Sequence, residues 1–145
     1  MLASVPTPSE TPLQRLLRLT GVATNQTISI AGPGGLGLMV ELCLAGYERV
    51  ECARRSTCQG ADETSHLLIL TGPAEGLGGL AASALPLLRA GGMVAAWLDR
   101  IEDDAPIRAA LLVRGMEVIA STLDHQDGLM VAHRVRRRGR LALVG

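Results

Sequence analysis

The clearest chemistry in the chain lies in six residues. Gly32-Pro33-Gly34-Gly35-Leu36-Gly37 follows directly on Thr27-Ile28-Ser29-Ile30-Ala31 and runs into an apolar stretch that stops at Gly46. The first run has the composition of a buried strand, and the stretch after the glycines that of a helix. Strand, G-x-G-x-x-G, helix is the arrangement that seats a nucleotide cofactor in a doubly wound sheet. Gly32 is expected to permit the tight turn, Gly34 to let backbone approach a ligand, and Gly37 to let helix and strand pack closely. The helix N-terminus would offer free N–H groups and a positive dipole end to an anion or a ribose. The bland reading of the same glycines is a βα turn that binds nothing.

Other reactive residue types are sparse. In such a sheet, ligands sit beyond the C-terminal ends of the parallel strands. That places Arg54 with Arg55, Thr71 with Gly72, Glu75 and Asp99 near the expected mouth. Glu75 or Asp99 could serve as a general base, although a capping or solvated acid fits either position equally well. His66, His125 and His133 lie far apart, and Cys43, Cys52 and Cys58 form no C-x-x-C pair. No metal site is expected from them, and the cysteines read as small core residues of a reduced, cytoplasmic protein. Trp97 is expected in the core and Tyr47 in packing. The acidic run Glu102-Asp103-Asp104 suits a helix N-terminus, where the dipole favours it.

The elements that must position these residues follow from periodicity and punctuation. Residues 1–10, rich in Pro, Ser and Thr, read as a loose lead-in. Thr11-Pro12-Leu13-Gln14 makes a capping-box helix start. Leu13, Leu16 and Leu17 share one face and Gly21 closes the helix, which packs on the sheet or covers the cleft. Strands are predicted over Thr27–Ala31, Arg49–Ala53, 66–71, 93–98, 116–122 and 129–136. Helices are predicted over 36–45, 80–88 with a disturbance at Pro86, and from Asp103 or Asp104 to Val113, with Gly115 as the stop. Residues 54–65 form a polar loop and 124–128 a turn. Strands alternating with helices imply a parallel sheet with right-handed crossovers. The last two strands are too close in sequence for a parallel connection, so they form a hairpin and one C-terminal strand runs antiparallel. The fold class is therefore α/β, three-layered and Rossmann-like, in one domain over residues 1–145.

With 145 residues, 48% of them hydrophobic, the chain can bury one good core. The formal net charge is zero, but residues 134–145 hold five Arg and no acid, while residues 1–133 hold nine Arg against fourteen acids, a net of −5. So acidic a body argues against a broad nucleic-acid-binding surface. The cluster His133-Arg134-Val135-Arg136-Arg137-Arg138-Gly139-Arg140, which runs into the Arg-rich tail 137–145, could contact phosphate but reads best as a solvated strand end that blocks edge pairing. No apolar run is long enough to span a membrane, and no signal peptide is evident. The high apolar fraction of a small chain makes a homodimer an expected partner state.

The back half resembles the class I S-adenosylmethionine-dependent methyltransferases. Leu87-Leu88-Arg89-Ala90-Gly91-Gly92 is similar to the family's turn into its fifth strand. Gly115-Met116-Glu117-Val118 is similar to its helix-ending step, and Gly128-Leu129-Met130-Val131-Ala132-His133-Arg134 to the last strand of its closing hairpin. Gly32-Pro33-Gly34 fits the glycine loop, so the resemblance covers about residues 27–136. It implies S-adenosylmethionine as cofactor, with Gly32, Pro33, Gly34, Gly35, Gly37, Thr71 and Gly72 shaping the pocket and Glu51 or Arg54 facing the ribose. There are departures. The acid usual two residues before the first glycine is Ile30, and the acid usual at the end of the second strand is replaced by Ala53-Arg54. The nearest acid there is Glu51, nineteen residues after Gly32. Residues 54–65 are too few for the helix and strand the family carries at that point, and Thr71-Gly72-Pro73 replaces its catalytic sequence. The resemblance is to a trimmed, catalytically degenerate member.

The front half, about residues 27–56, is also similar to NAD(P)-dependent dehydrogenases. Cys52-Ala53-Arg54-Arg55-Ser56 resembles the NADP variety, in which an Arg after the second strand holds the 2′-phosphate. No Tyr-x-x-x-Lys follows, and the chain has no Lys at all. Three functions stay open at this point: a methyltransferase-type S-adenosylmethionine binder, an NADP-binding module of oxidoreductase type, and a non-enzymatic interaction domain that has lost its ligand.

Overall fold

The computed structural model describes residues 11–53, 64–72, 74–97, 105–113, 115–121 and 129–134. Helix α1 (Pro12–Thr20) opens with the expected capping box. Thr11 Oγ1 accepts from the Gln14 N–H at 3.1 Å, and Gln14 Oε1 accepts from the Thr11 N–H at 3.0 Å. Strand β1 (Thr27–Ala31), helix α2 (Gly35–Leu44) and strand β2 (Arg49–Ala53) follow. Strand β3 (Ser65–Leu70), helix α3 (Ala74–Ala84), a short 3₁₀ turn (Leu85–Leu87) and strand β4 (Leu88–Trp97) make the middle of the chain. Helix α4 (Ala105–Val113), strand β5 (Met116–Ser121) and strand β6 (Leu129–Arg134) complete it.

The six strands form one sheet in the order β2-β1-β3-β4-β6-β5. β2, β1, β3 and β4 pair in parallel. β6 inserts between β4 and β5 and runs antiparallel to both. The expected hairpin and the antiparallel C-terminal strand are both present. β3 shows why no polar alternation is visible in its sequence, since both faces are covered. Leu67 and Ile69 join Leu16, Ile28, Ile30, Leu38, Leu42 and Val131 on one face, against α1 and α2. Leu68 and Leu70 join Ala81, Ala84, Ile107 and Leu111 on the other, against α3 and α4.

Three local expectations are corrected. The third helix begins at Ala74, not near residue 80, so Glu75 lies in its first turn rather than in a loop. Its run of glycines conceals it from propensity; it packs on α4, where a Cβ on Gly78 would make ordinary contact with Ala110 Cβ at 3.7 Å. β4 begins at Leu88, five residues early, because Leu88 already pairs with Ser65 before the ladder resumes at Leu67↔Met93. Cys43 is exposed rather than part of the core, whereas Cys52 is half-buried with Sγ 3.9 Å from Met39 Sδ. Tyr47 packs on the α1/α2 core, as expected.

Among the described residues the two buried polar side chains, Ser29 and Ser65, satisfy each other with their Oγ atoms 2.5 Å apart. On α2, Leu36, Val40 and Leu44 form an exposed stripe one turn apart, Leu44 being 84% accessible. No helix among the described residues is long and apolar enough to cross a membrane.

Candidate functional site

The site forms where two βα turns meet, at the C-terminal ends of the adjacent strands β1 and β3. Gly32 sits at φ +115°, and a Cβ there would lie 2.1 Å from the Thr71 carbonyl oxygen. No side chain fits. Thr71 secures the turn from the other side: its N–H donates to the Ala31 carbonyl at 3.0 Å and its hydroxyl to the Pro33 carbonyl at 2.6 Å. Gly72 completes the contact, since a Cβ there would meet the Pro33 ring at 3.2 Å. The sequence pointed to Gly32, Pro33, Thr71 and Gly72 separately, and the fold brings them together.

The glycines that follow divide their work differently from expectation. The close approach of helix to sheet falls at Gly35, where a Cβ would lie 3.1 Å from Ile30 Cγ2 and 3.5 Å from Cys52 Sγ. Gly37, expected in that role, has nothing within 4 Å of a Cβ. Gly34, at φ +82°, is equally open and forms the N-cap of α2, which no side chain caps. The N–H groups of the first turn of α2 are left to a ligand or water.

Gly34 and Gly37 face a cleft of about 470 Å³. Leu38 and Glu41 continue the α2 wall, Thr11, Pro12 and Leu13 at the start of α1 close one side, and Thr71 and Trp97 lie at the strand ends. Of the two expectations for α1, both hold: it packs on the sheet and its first turn borders the cleft. Trp97 is half-buried against the α1/α2 core and also lines the cleft. Trp97, Glu41 and the α1 start were missed as site residues. Their signal was only positional, because Trp97 ends a strand and Glu41 lies one helical turn beyond Gly37.

Glu51 is not on this wall. It pairs with Ser29, two residues short of the end of β2. Cys52 faces α2 through Met39, so strand alternation turns Glu51 to the opposite face of the sheet. The β2 end itself is Ala53, and Arg54 and Arg55 lie outside the described residues. Asp99, Asp103, Asp104, His125, Cys58 and the Arg-rich tail also lie outside them, and for Glu75 only the backbone is described. His133 pairs across the β5–β6 ladder with Glu117, Nε2 to Oε1 at 3.3 Å. Among the described residues no group of three His, Cys, Asp or Glu could hold a metal ion.

The cleft therefore combines bare backbone, an uncapped helix start, apolar side chains and one aromatic ring. Such a wall suits a ligand with a flat apolar part and polar edges, and a nucleoside-type cofactor has that character. No protein-family pattern matches the sequence, and no curated protein matches it either. The fold, however, has many relatives among solved structures. An S-adenosylmethionine-dependent O-methyltransferase from Thermotoga maritima superposes with a TM-score of 0.63 at 15% identity, over 94% of this chain and 70% of that one. A ribosomal protein L11 methylase from Lactobacillus delbrueckii gives 0.62 at 14% identity, over 92% and 81%. A magnesium protoporphyrin IX methyltransferase from Synechocystis, with S-adenosylhomocysteine bound, gives 0.60 at 12% identity, over 83% and 80%. The sheet order, the antiparallel β6 and these superpositions agree, and the chain has the Rossmann-like fold of the class I S-adenosylmethionine-dependent methyltransferases.

Proposed function

We propose that the protein binds S-adenosylmethionine, or its demethylated product S-adenosylhomocysteine, in the cleft between the α2 N-terminus, the start of α1 and Trp97. The observation that carries this reading is the open Gly34–Gly37 wall beside the interlocked Gly32/Thr71 turns. Two glycines without a neighbour keep side chains off the cleft just where the first turn of α2 exposes its N–H groups. Bound there, the cofactor supplies an electrophilic methyl group, and the chain's contribution is to position it and exclude water. Gly32, Pro33, Thr71 and Gly72 hold the turn, Gly35 seats the helix, and Gly34, Gly37 and Trp97 face the ligand. With Ala53 at the β2 end, Glu41 is the acid on the cleft wall among the described residues.

Calorimetric titration with S-adenosylhomocysteine, NADP and NAD in parallel tests this. Micromolar binding of S-adenosylhomocysteine alone is expected, about −8 kcal/mol. Binding of NADP alone would replace this reading with the dehydrogenase-like one and direct attention to Arg54. Binding of none of the three would leave a ligand-free interaction domain.

The exposed Leu36, Val40 and Leu44 stripe favours a homodimer through α2. Light scattering should then give twice the mass of one chain, and Leu44→Glu should return it to the monomer. A monomer at high concentration before substitution would remove the proposal.

A further inference from the structure

A second cavity lies at the other end of the sheet, by the N-terminal ends of the strands. It measures about 320 Å³. Thr20, Gly21 and Gln26 border it from the α1–β1 segment, and His66, Arg89 and the backbone of residues 90–92 from β3 and β4. The ladder between β3 and β4 opens here. Ser65 pairs with Leu88 and Leu67 with Met93, so Arg89, Ala90, Gly91 and Gly92 loop out opposite the single residue His66.

The hydrogen bonding of His66 does not close on itself. The Thr27 N–H donates to Nδ1 at 3.1 Å. Arg89 Nη1 stands 2.7 Å from Nε2. A neutral imidazole accepts at one nitrogen and donates from the other, a charged one accepts at neither, and a guanidinium only donates. With Nδ1 accepting from Thr27, Nε2 carries its proton, and two donors face each other. An acceptor able to take both N–H groups resolves the conflict.

Among the described residues the surroundings supply further donors and no counter-charge. Gln26 uses its Oε1 for the Ala23 N–H at 2.9 Å, which leaves its NH₂ group as a donor on the cavity wall. Arg49 lies level with Thr27 across the β1–β2 ladder. Burial, then Arg89, then Arg49 hold the His66 imidazole below its ordinary pKa. Among the described residues no carboxylate borders the cavity, and neither Arg49 nor Arg89 forms an ion pair. Glu48, next to Arg49 in sequence, is exposed and forms none either.

We propose that this cavity is a binding site for an oxyanion of the phosphate class, free or carried on a small phosphorylated molecule, held between the Arg89 guanidinium and His66 Nε2–H with the Gln26 amide beside them. Among the described residues the site shares no lining residue with the cleft at the α2 N-terminus.

The test follows the assigned His66 imidazole signals by NMR while the full chain is titrated with inorganic phosphate against chloride of equal ionic strength. Ribose 5-phosphate forms the second arm. His66 should shift and its titration midpoint should rise, because a bound anion stabilises the imidazolium. Phosphate should also raise the melting temperature. Arg89→Gln should weaken phosphate about tenfold or more, and Arg49→Gln, acting only through longer-range charge, about threefold. Equal affinity for both ligands identifies the free ion, and tighter binding of ribose 5-phosphate identifies a phosphorylated molecule. His66 signals that neither ligand moves beyond the chloride response would overturn the proposal, as would a phosphate response that survives Arg89→Gln unchanged. If Arg89→Gln does not fold, the wild-type titration and Arg49→Gln still decide.

Discussion

Gly32→Ala is expected to destabilise the protein by about 2–6 kcal/mol and to abolish binding in the cleft. Two costs combine. A φ of +115° is a region that L residues rarely occupy, at about 1–3 kcal/mol. The new methyl group would also stand 2.1 Å from a backbone oxygen, that of Thr71. Neither β1 nor β3 can move away, because Ala31 and Leu70 are paired in the centre of the sheet. Forced repacking of this kind costs a further ~1–3 kcal/mol. Against a total of about 5–15 kcal/mol, the variant should melt about 10 °C or more below the parent. Gly34→Ala provides the contrast. Its φ is also positive, but nothing lies within 4 Å, so the loss should stay near 1 kcal/mol. Thermal unfolding by circular dichroism checks both. A Gly32→Ala melting temperature matching that of the parent would mean the two turns are not interlocked.

Gly37→Phe is expected to do the reverse, leaving the fold intact while reducing S-adenosylhomocysteine affinity by about 100-fold or more, roughly 3 kcal/mol. Gly37 lies within α2, faces the cleft and has no atom within 4 Å of a Cβ. A ring there fills space that the ligand needs and displaces no core residue. Gly37→Ala should raise stability by about 0.5–1 kcal/mol, since glycine within a helix carries an entropic cost, and should still bind. Parallel calorimetry and melting curves check the pair. If Gly37→Phe binds S-adenosylhomocysteine as the parent does, the ligand lies elsewhere.

The fold was largely legible in the sequence, and the reason is local. Buried runs such as Ile28–Ile30 and Leu67–Leu70, each followed by a Gly-Pro turn, announce parallel strands. The six or so residues between the last two strands leave a hairpin as the sole connection. The third helix was misplaced because its glycines lower its propensity. At the site, the glycine loop was visible, but the division of labour within it was not. Gly35 and Gly37 have the same sequence signature, and only the positions of Ile30 and Cys52 distinguish the packed glycine from the open one. Trp97 and Glu41 come to the cleft from separate elements, and the link from Thr71 to Pro33 spans 38 residues. The conflict at His66 depends on a loop-out in the neighbouring strand, which residue types alone do not report.

The insertion of β6 between β4 and β5 also governs the order in which the molecule can assemble. Among the described residues β5 has no neighbour in the sheet except β6. As the chain leaves the ribosome, β1 to β4 can align, but β5 has nothing to join until Leu129–Arg134 has been made and has moved in beside β4. Strand β6 is the keystone, and closure of the sheet waits until synthesis has passed Arg134. Until then, the flank of β4 stands open as an unpaired edge.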